Sequence, residues 1–229
     1  MRIITYNTRG SLGLDQVRRT DRIIETVRPL SADILCFQEI HQRLLWSGRE
    51  DQPDVLQRAL NRSFAFQANV RFGSGGYGIG IATRYPIYER IEHALPGGKE
   101  RRGALELRLR NADGWRRLTV FCTHWGLTIE ERRQQAEALA ERVQAAPRPV
   151  ILCGDFNETI EGEALRWFLA ETGLHDADAV GNRPTFVAGN PTQRIDLILF
   201  SEELKAQRSE TLSSAASDHL PVVADLERA

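Results

Sequence analysis

The sequence predicts an α/β fold of two packed, mixed β-sheets flanked by helices. Three observations carry that prediction. Short apolar runs rich in Ile, Val and Leu recur from Ile3 to Leu226. Stretches of helical periodicity separate them towards both ends of the chain, and the middle is a succession of strand patterns punctuated by glycine. No internal repeat, low-complexity block or Pro/Ser-rich linker divides the chain, so residues 1–229 read as one domain.

A strand over residues 3–8 opens the chain, followed by a helix over 15–27, a strand over 33–39 and a helix over 53–60. Consecutive strands are expected around Phe66 and over 79–83, 87–93, 104–110 and 118–124. Gly73-Ser74-Gly75-Gly76-Tyr77-Gly78 lacks the Gly-Lys-Ser/Thr ending of a phosphate-binding loop and reads as a flexible strand connection. Thr128 and Glu131 have capping-box spacing and mark the start of a helix over 129–144. A strand over 150–153, a helix over 163–171 and strands near 195–200, 206–212 and 222–226 complete the reading.

Apolar residues make up 41% and charged residues 27%, the ordinary mixture of a soluble globular protein. A formal net charge of −1 excludes a global basic field that would draw in nucleic acid, while a local basic cleft stays open. Cys36, Cys122 and Cys153 lie in apolar runs without CxxC spacing, which points to core thiols in a reducing compartment. The chain enters a strand at once, and no apolar run has the length of a membrane span. A cytoplasmic monomer without a transmembrane segment is the expectation.

Six strand ends carry polar residues. Residues 3–6 run into Asn7, 34–37 into Gln38-Glu39, 118–123 into His124, and 150–154 into Asp155-Phe156-Asn157. Two later strands place them first: Asp196 precedes Leu197-Ile198-Leu199, and Asp218-His219 precedes Leu220-Pro221-Val222. If the first four strands run opposite to the last two, every cluster reaches one edge of the sandwich. Side-chain alternation puts His124 on the face of Leu118, Val120 and Cys122, and Asp155 on that of Ile151 and Cys153. Taken singly, Asn7 suits a turn, Asp155-Phe156-Asn157 an Asx turn, and His124 a hydrogen-bonded core histidine. Together they outweigh those readings, because independent turns have no reason to select Glu, Asp, Asn and His at six strand ends.

The set is oxygen-rich, which suits Mg²⁺ or Mn²⁺ better than zinc. A serine hydrolase is disfavoured because no G-x-S-x-G is present. A divalent cation, orienting amides and an Asp–His couple describe metal-assisted phosphoester hydrolysis.

In this order, Tyr6-Asn7, Gln38-Glu39, Thr123-His124, Gly154-Asp155-Phe156-Asn157, Arg194-Ile195-Asp196 and Ser217-Asp218-His219 resemble the endonuclease/exonuclease/phosphatase superfamily. That resemblance spans residues 3 to about 226. It implies a four-layer α/β sandwich and a Mg²⁺- or Mn²⁺-dependent phosphoesterase. It further implies that Glu39 is the principal metal ligand, with Asn7 beside it and Asp218 nearby. Asp155 and Asn157 would orient water and phosphate, His219 would pair with Asp196, and His124 would contact the phosphate. Whether Asp155 or His219 takes the water's proton stays open. Arg84, in Thr83-Arg84-Tyr85-Pro86-Ile87, matches a family arginine read as structural. Arg102 falls where several members place a phosphate-facing arginine, and a solvated loop suits it equally.

Two departures bear on substrate. Apurinic endonucleases carry an Asp where this chain has Arg9 and a Tyr where it has His124, so the resemblance is to the two-histidine deoxyribonuclease and sphingomyelinase branch. A phosphodiester is the expected substrate, with nucleic acid, phospholipid head groups and small esters all open. A phosphomonoesterase is the alternative. A catalytically silent binding module is weighed down by the absence of any missing ligand or histidine.

Overall fold

A computed structural model describes residues 1–112 and 115–229. The strands are β1 (Arg2–Asn7), β2 (Ile34–Gln42), β3 (Ser63–Phe72), β4 (Gly75–Thr83), β5 (Ile87–Leu95), β6 (Arg102–Ala112), β7 (Trp115–His124), β8 (Val150–Asp155), β9 (His175–Asp176), β10 (Asp196–Phe200), β11 (Leu204–Thr211) and β12 (Val222–Arg228). The helices are α1 (Thr20–Val27), α2 (Gln52–Leu60), α3 (Ile129–Ala145) and α4 (Glu163–Thr172).

The strands form two mixed six-stranded sheets, ordered β11-β12-β1-β2-β4-β3 and β5-β6-β7-β8-β10-β9. Each has one parallel pair near its centre, β1 with β2 and β7 with β8. The next strand outward on one side, β12 against β1 and β10 against β8, is antiparallel. The six polar strand ends therefore do gather at one edge.

Three apolar layers hold the four-layer sandwich together. Ile3, Cys36, Ile81, Leu107, Val120, Cys153 and Ile198 pack between the sheets. Phe121, Leu152 and Leu199 face Leu139, Val143 and Phe168 of α3 and α4. Ile4, Leu35 and Phe37 face Ile23 and Val27 of α1 and Leu56 of α2. All three cysteines are free and buried, with Cys36 and Cys122 thiols pushed up in pKa chiefly by burial. No helix of the described residues is long and apolar enough to cross a membrane.

Three local expectations change. The first helix begins at Thr20, not residue 15, because residues 14–16 form a turn enclosed by a Leu12–Arg18 bridge. The second strand runs on to Gln42 through a bulge between Phe37 and Ile40. The glycine-rich segment is mostly strand: only Gly73 and Ser74 lie in the turn, and Gly75–Gly78 belong to β4. A β-carbon at Gly78 would stand 1.9 Å from the Gln67 carbonyl, so absence of a side chain, not flexibility, is what that position uses.

The helix cap at Thr128 forms as read: its hydroxyl accepts from the Glu131 amide, and the Glu131 carboxylate accepts from the Thr128 amide. Arg84 pairs with Asp33 at 2.9 Å, at the structural junction of β2 and β4.

Candidate active site

Alternation along the strands sends Asn7, His124, Asp155 and Asp196 out of the inter-sheet core, in line with Ile3, Cys122, Cys153 and Ile198. The same alternation would send Glu39 towards the helices, with Leu35 and Phe37. The bulge in β2 cancels this. Glu39 takes the left-handed conformation (φ 57°), which turns its carboxylate to within 3.1 Å of the Asn7 amide nitrogen.

Asn7 bridges two acids, donating through Nδ2 to Glu39 at 3.1 Å and to Asp155 at 2.9 Å. Its Oδ1 accepts from the Arg9 amide at 3.0 Å. Asp155 Oδ1 accepts from the Asn157 amide at 2.9 Å, so the Asx turn is real as geometry. Asn157 Nδ2 is tied to the Trp125 carbonyl at 2.9 Å, which anchors the side chain beside Asp155.

His219 Nδ1 lies 2.9 Å from Asp196 Oδ2. Thr185 holds that carboxylate in turn, donating its hydroxyl at 2.6 Å and receiving the Asp196 amide at 3.3 Å. Burial alone would lower the His219 pKa. The charge of Asp196 and its hydrogen bond, with Asp155 and Asp218 beyond, raise it to about 10, so the ring is an imidazolium at neutral pH. Its Nε2 stands 3.7 Å from Asp155 Oδ2.

His124 is set differently. Arg102 Nη1 lies 2.8 Å from His124 Nδ1, and a guanidinium only donates, so Nδ1 accepts and the ring proton sits on Nε2. Burial, then the charges of Arg102 and His219, hold the His124 pKa well below the ordinary value. A neutral ring thus points an N–H at Asp155, with Nε2 3.5 Å from Oδ2. Arg102 itself is buried and pairs with Glu100 at 3.1 Å, so it is no solvated loop residue.

The carboxylates are crowded. Burial raises the Asp155 pKa, and Asp196 raises it further. Burial likewise raises that of Glu39, against the opposing Asn7 hydrogen bond. Asp196 Oδ1 is buried without a hydrogen-bond partner. Such an excess of poorly compensated oxygen donors fits a hard divalent cation. Asp155, Asp196 and His219 offer ligand atoms within 4.8 Å of one another, although the Asp196–His219 pair already satisfies itself. Asp218 stands somewhat apart, its carboxylate 3.2 Å from Arg9 Nε.

Sequence reasoning missed two contributors. Thr185 lies in a loop without strand pattern, so nothing along the chain marks it. Tyr77 lines the same cleft as Glu39 and stands against the His41 ring. Burial first, then the neighbouring acids, raise its pKa and keep the phenol neutral.

A sequence profile for the Endonuclease/Exonuclease/phosphatase family matches residues 4–219. The chain is 30% identical to Escherichia coli K12 "Uncharacterized protein YbhP", over 88% of this chain and 86% of that one. Its fold is similar to the endonuclease/exonuclease/phosphatase from Beutenbergia cavernae, with TM-score 0.85 and 22% identity over 100% of this chain and 71% of that one. It is also similar to the Bacteroides thetaiotaomicron mannosyl-6-phosphatase Bt3783, with TM-score 0.79 and 21% identity over 99% of each chain. Matched from β1 to His219, with the polar strand ends at one edge of that fold, the chain belongs to the endonuclease/exonuclease/phosphatase family, whose members are phosphoesterases that generally depend on a divalent metal.

Proposed function

We propose that the chain is a Mg²⁺- or Mn²⁺-dependent phosphodiesterase. The observation that carries this is the convergence of two differently held histidines on Asp155: His219, with Nδ1 against Asp196, and His124, with Nδ1 against Arg102, place their Nε2 atoms 3.7 and 3.5 Å from Asp155 Oδ2. Glu39 would hold the cation, with Asn7 beside it and Asp218 within reach. Asn7 would turn its amide so that Oδ1 rather than Nδ2 faces Glu39. When bound, the cation supplies positive charge for a phosphate oxygen in the transition state.

The protein's own groups divide the remaining work. Asp155, its pKa raised, is the proton acceptor for the attacking water, with Asn157, anchored through Nδ2 to the Trp125 carbonyl, orienting that water. His219, already an imidazolium, serves as the proton donor towards the departing oxygen. His124 offers its Nε2–H to a non-bridging phosphate oxygen, where charge accumulates as water attacks in line. A diester brings one negative charge rather than two to a site crowded with carboxylates, which favours it over a monoester.

The test is hydrolysis of methyl p-nitrophenyl phosphate with Mg²⁺ or Mn²⁺. Activity lost in EDTA and lowered about 10²–10³-fold in kcat by Glu39→Gln and His219→Ala supports the reading. Turnover that persists in either variant at the wild-type rate overturns it.

A further inference from the structure

Directly beside Glu39 lies a cleft of about 700 Å³, the size of a small-ligand pocket. His41 and Tyr77 line it, with ring centroids 5.6 Å apart. Trp46 and Phe72 stand at its lip as an edge-to-face pair, 5.0 Å between centroids and 81° between planes. Both are about half exposed, at 54% and 51%, so flat apolar faces meet solvent in the same cleft that Glu39 lines. With Arg9 paired to Asp218, the lining also carries three further basic side chains, Arg18, Lys99 and Arg101, against two acids, Glu39 and Glu100.

The walls are built, not incidental. A β-carbon at Gly75 would stand 2.9 Å from the Gln42 carbonyl and 2.8 Å from Leu44 Cδ2, so the β3–β4 hairpin closes tightly on the chain leaving β2. A β-carbon at Gly10 would stand 2.3 Å from the His41 ring, which fixes that ring from behind. Gln52 holds the same corner, accepting from the His41 amide at 2.8 Å and donating to the Gly10 carbonyl at 3.0 Å. Aromatic faces under an excess of positive charge fit a flat ring joined to an anionic group, and fit a bare acyl chain poorly.

We propose that this cleft is the substrate-selecting pocket, and that it takes the planar base of a nucleotide-type phosphodiester, whose scissile phosphate then lies at Glu39. The assignment rests on the phosphodiesterase reading for turnover, but the pocket can be probed without it. With Mn²⁺ present, thymidine 5′-(p-nitrophenyl phosphate) and methyl p-nitrophenyl phosphate share a leaving group and differ in the ring. The wild type should favour the thymidine ester by about tenfold or more in kcat/KM, and Trp46→Leu and Phe72→Leu should each bring that ratio within about twofold, mainly through KM. Equal use of both esters by the wild type, or an unchanged ratio in both variants, overturns the assignment.

The second measurement uses Glu39→Gln in EDTA, titrated with thymidine monophosphate or with inorganic phosphate while tryptophan fluorescence is followed. Saturating quenching by the nucleotide alone, lost when Trp46→Phe is added, supports the pocket. Saturating quenching by a single-stranded oligonucleotide with none by thymidine monophosphate overturns the single-nucleotide assignment. If quenching saturates while no diester is turned over, the pocket stands and the phosphodiesterase reading falls.

Discussion

Two histidines are pushed towards different protonation states, His219 towards the cation and His124 towards the neutral ring, because their Nδ1 atoms meet opposite partners, a carboxylate and a guanidinium. Thr185 extends this control one bond outward, since its hydroxyl both donates to Asp196 and receives backbone amides. Thr185→Val should destabilise the fold by about 1–3 kcal/mol by stripping a donor from a buried carboxylate. It should also lower kcat more than it changes KM, and Thr185→Ser should restore both. Urea unfolding and steady-state kinetics measure this. A valine variant with unchanged kcat would show that Asp196 is held in place without the hydroxyl. Pairing of His219 with Asp196 was legible in the sequence from the family resemblance. The tautomer of His124 was not, because Arg102 lies 22 residues away and only the β6–β7 register brings it there.

At the scale of single elements, β2 and β4 each use a feature that period-two reasoning misreads. Leu35 and Phe37 point to the helices, and strict alternation would place Glu39 with them in an apolar layer where its charge has no partner. One extra residue in the strand reverses the phase and delivers the carboxylate to the site. The sequence flagged Glu39 by its chemistry at the end of an apolar run and by the family resemblance, while the bulge became visible only in the pairing with β4. The glycines give a direct check on the corrected β4. Gly78→Ala would drive a β-carbon into the Gln67 carbonyl and should cost about 3 kcal/mol or leave the protein insoluble. Gly73→Ala has open space around it and pays only for its left-handed backbone, about 1–2 kcal/mol. Chemical denaturation of both variants tests the ranking; equal losses would restore the flexible-connection reading.

At the scale of the whole molecule, one carboxylate held ionised in the second sheet, Glu106, ties stability to pH. Burial on its own would raise the Glu106 pKa. Hydrogen bonds from His93 and Arg108, each 2.8 Å, outweigh burial and hold it below the usual carboxylate value. A folded pKa below the unfolded one stabilises the protein above the unfolded value and ceases to do so as pH falls through the folded one. Glu106→Gln should therefore cost roughly 2 kcal/mol at pH 7, and the difference from wild type should shrink as pH falls below the ordinary glutamate value and through the lower folded one. A gap that stays constant across this range would show that shape, not charge, is what Glu106 contributes.

By itself the sequence determined the fold class, the family and the identity of the polar strand ends, because apolar periodicity and residue type are written locally along the chain. It could also place His124 and Asp155 on the inter-sheet face, since alternation is a property of one strand. Only the tertiary structure decided which way Glu39 turns, which proton His124 carries, that Thr185 supports Asp196, and that Trp46 and Phe72 flank a cleft beside Glu39. Each of these depends on a bulge, a register or a loop closure that joins residues distant in sequence. Such contacts are fixed by packing between elements, and no single element's pattern encodes them.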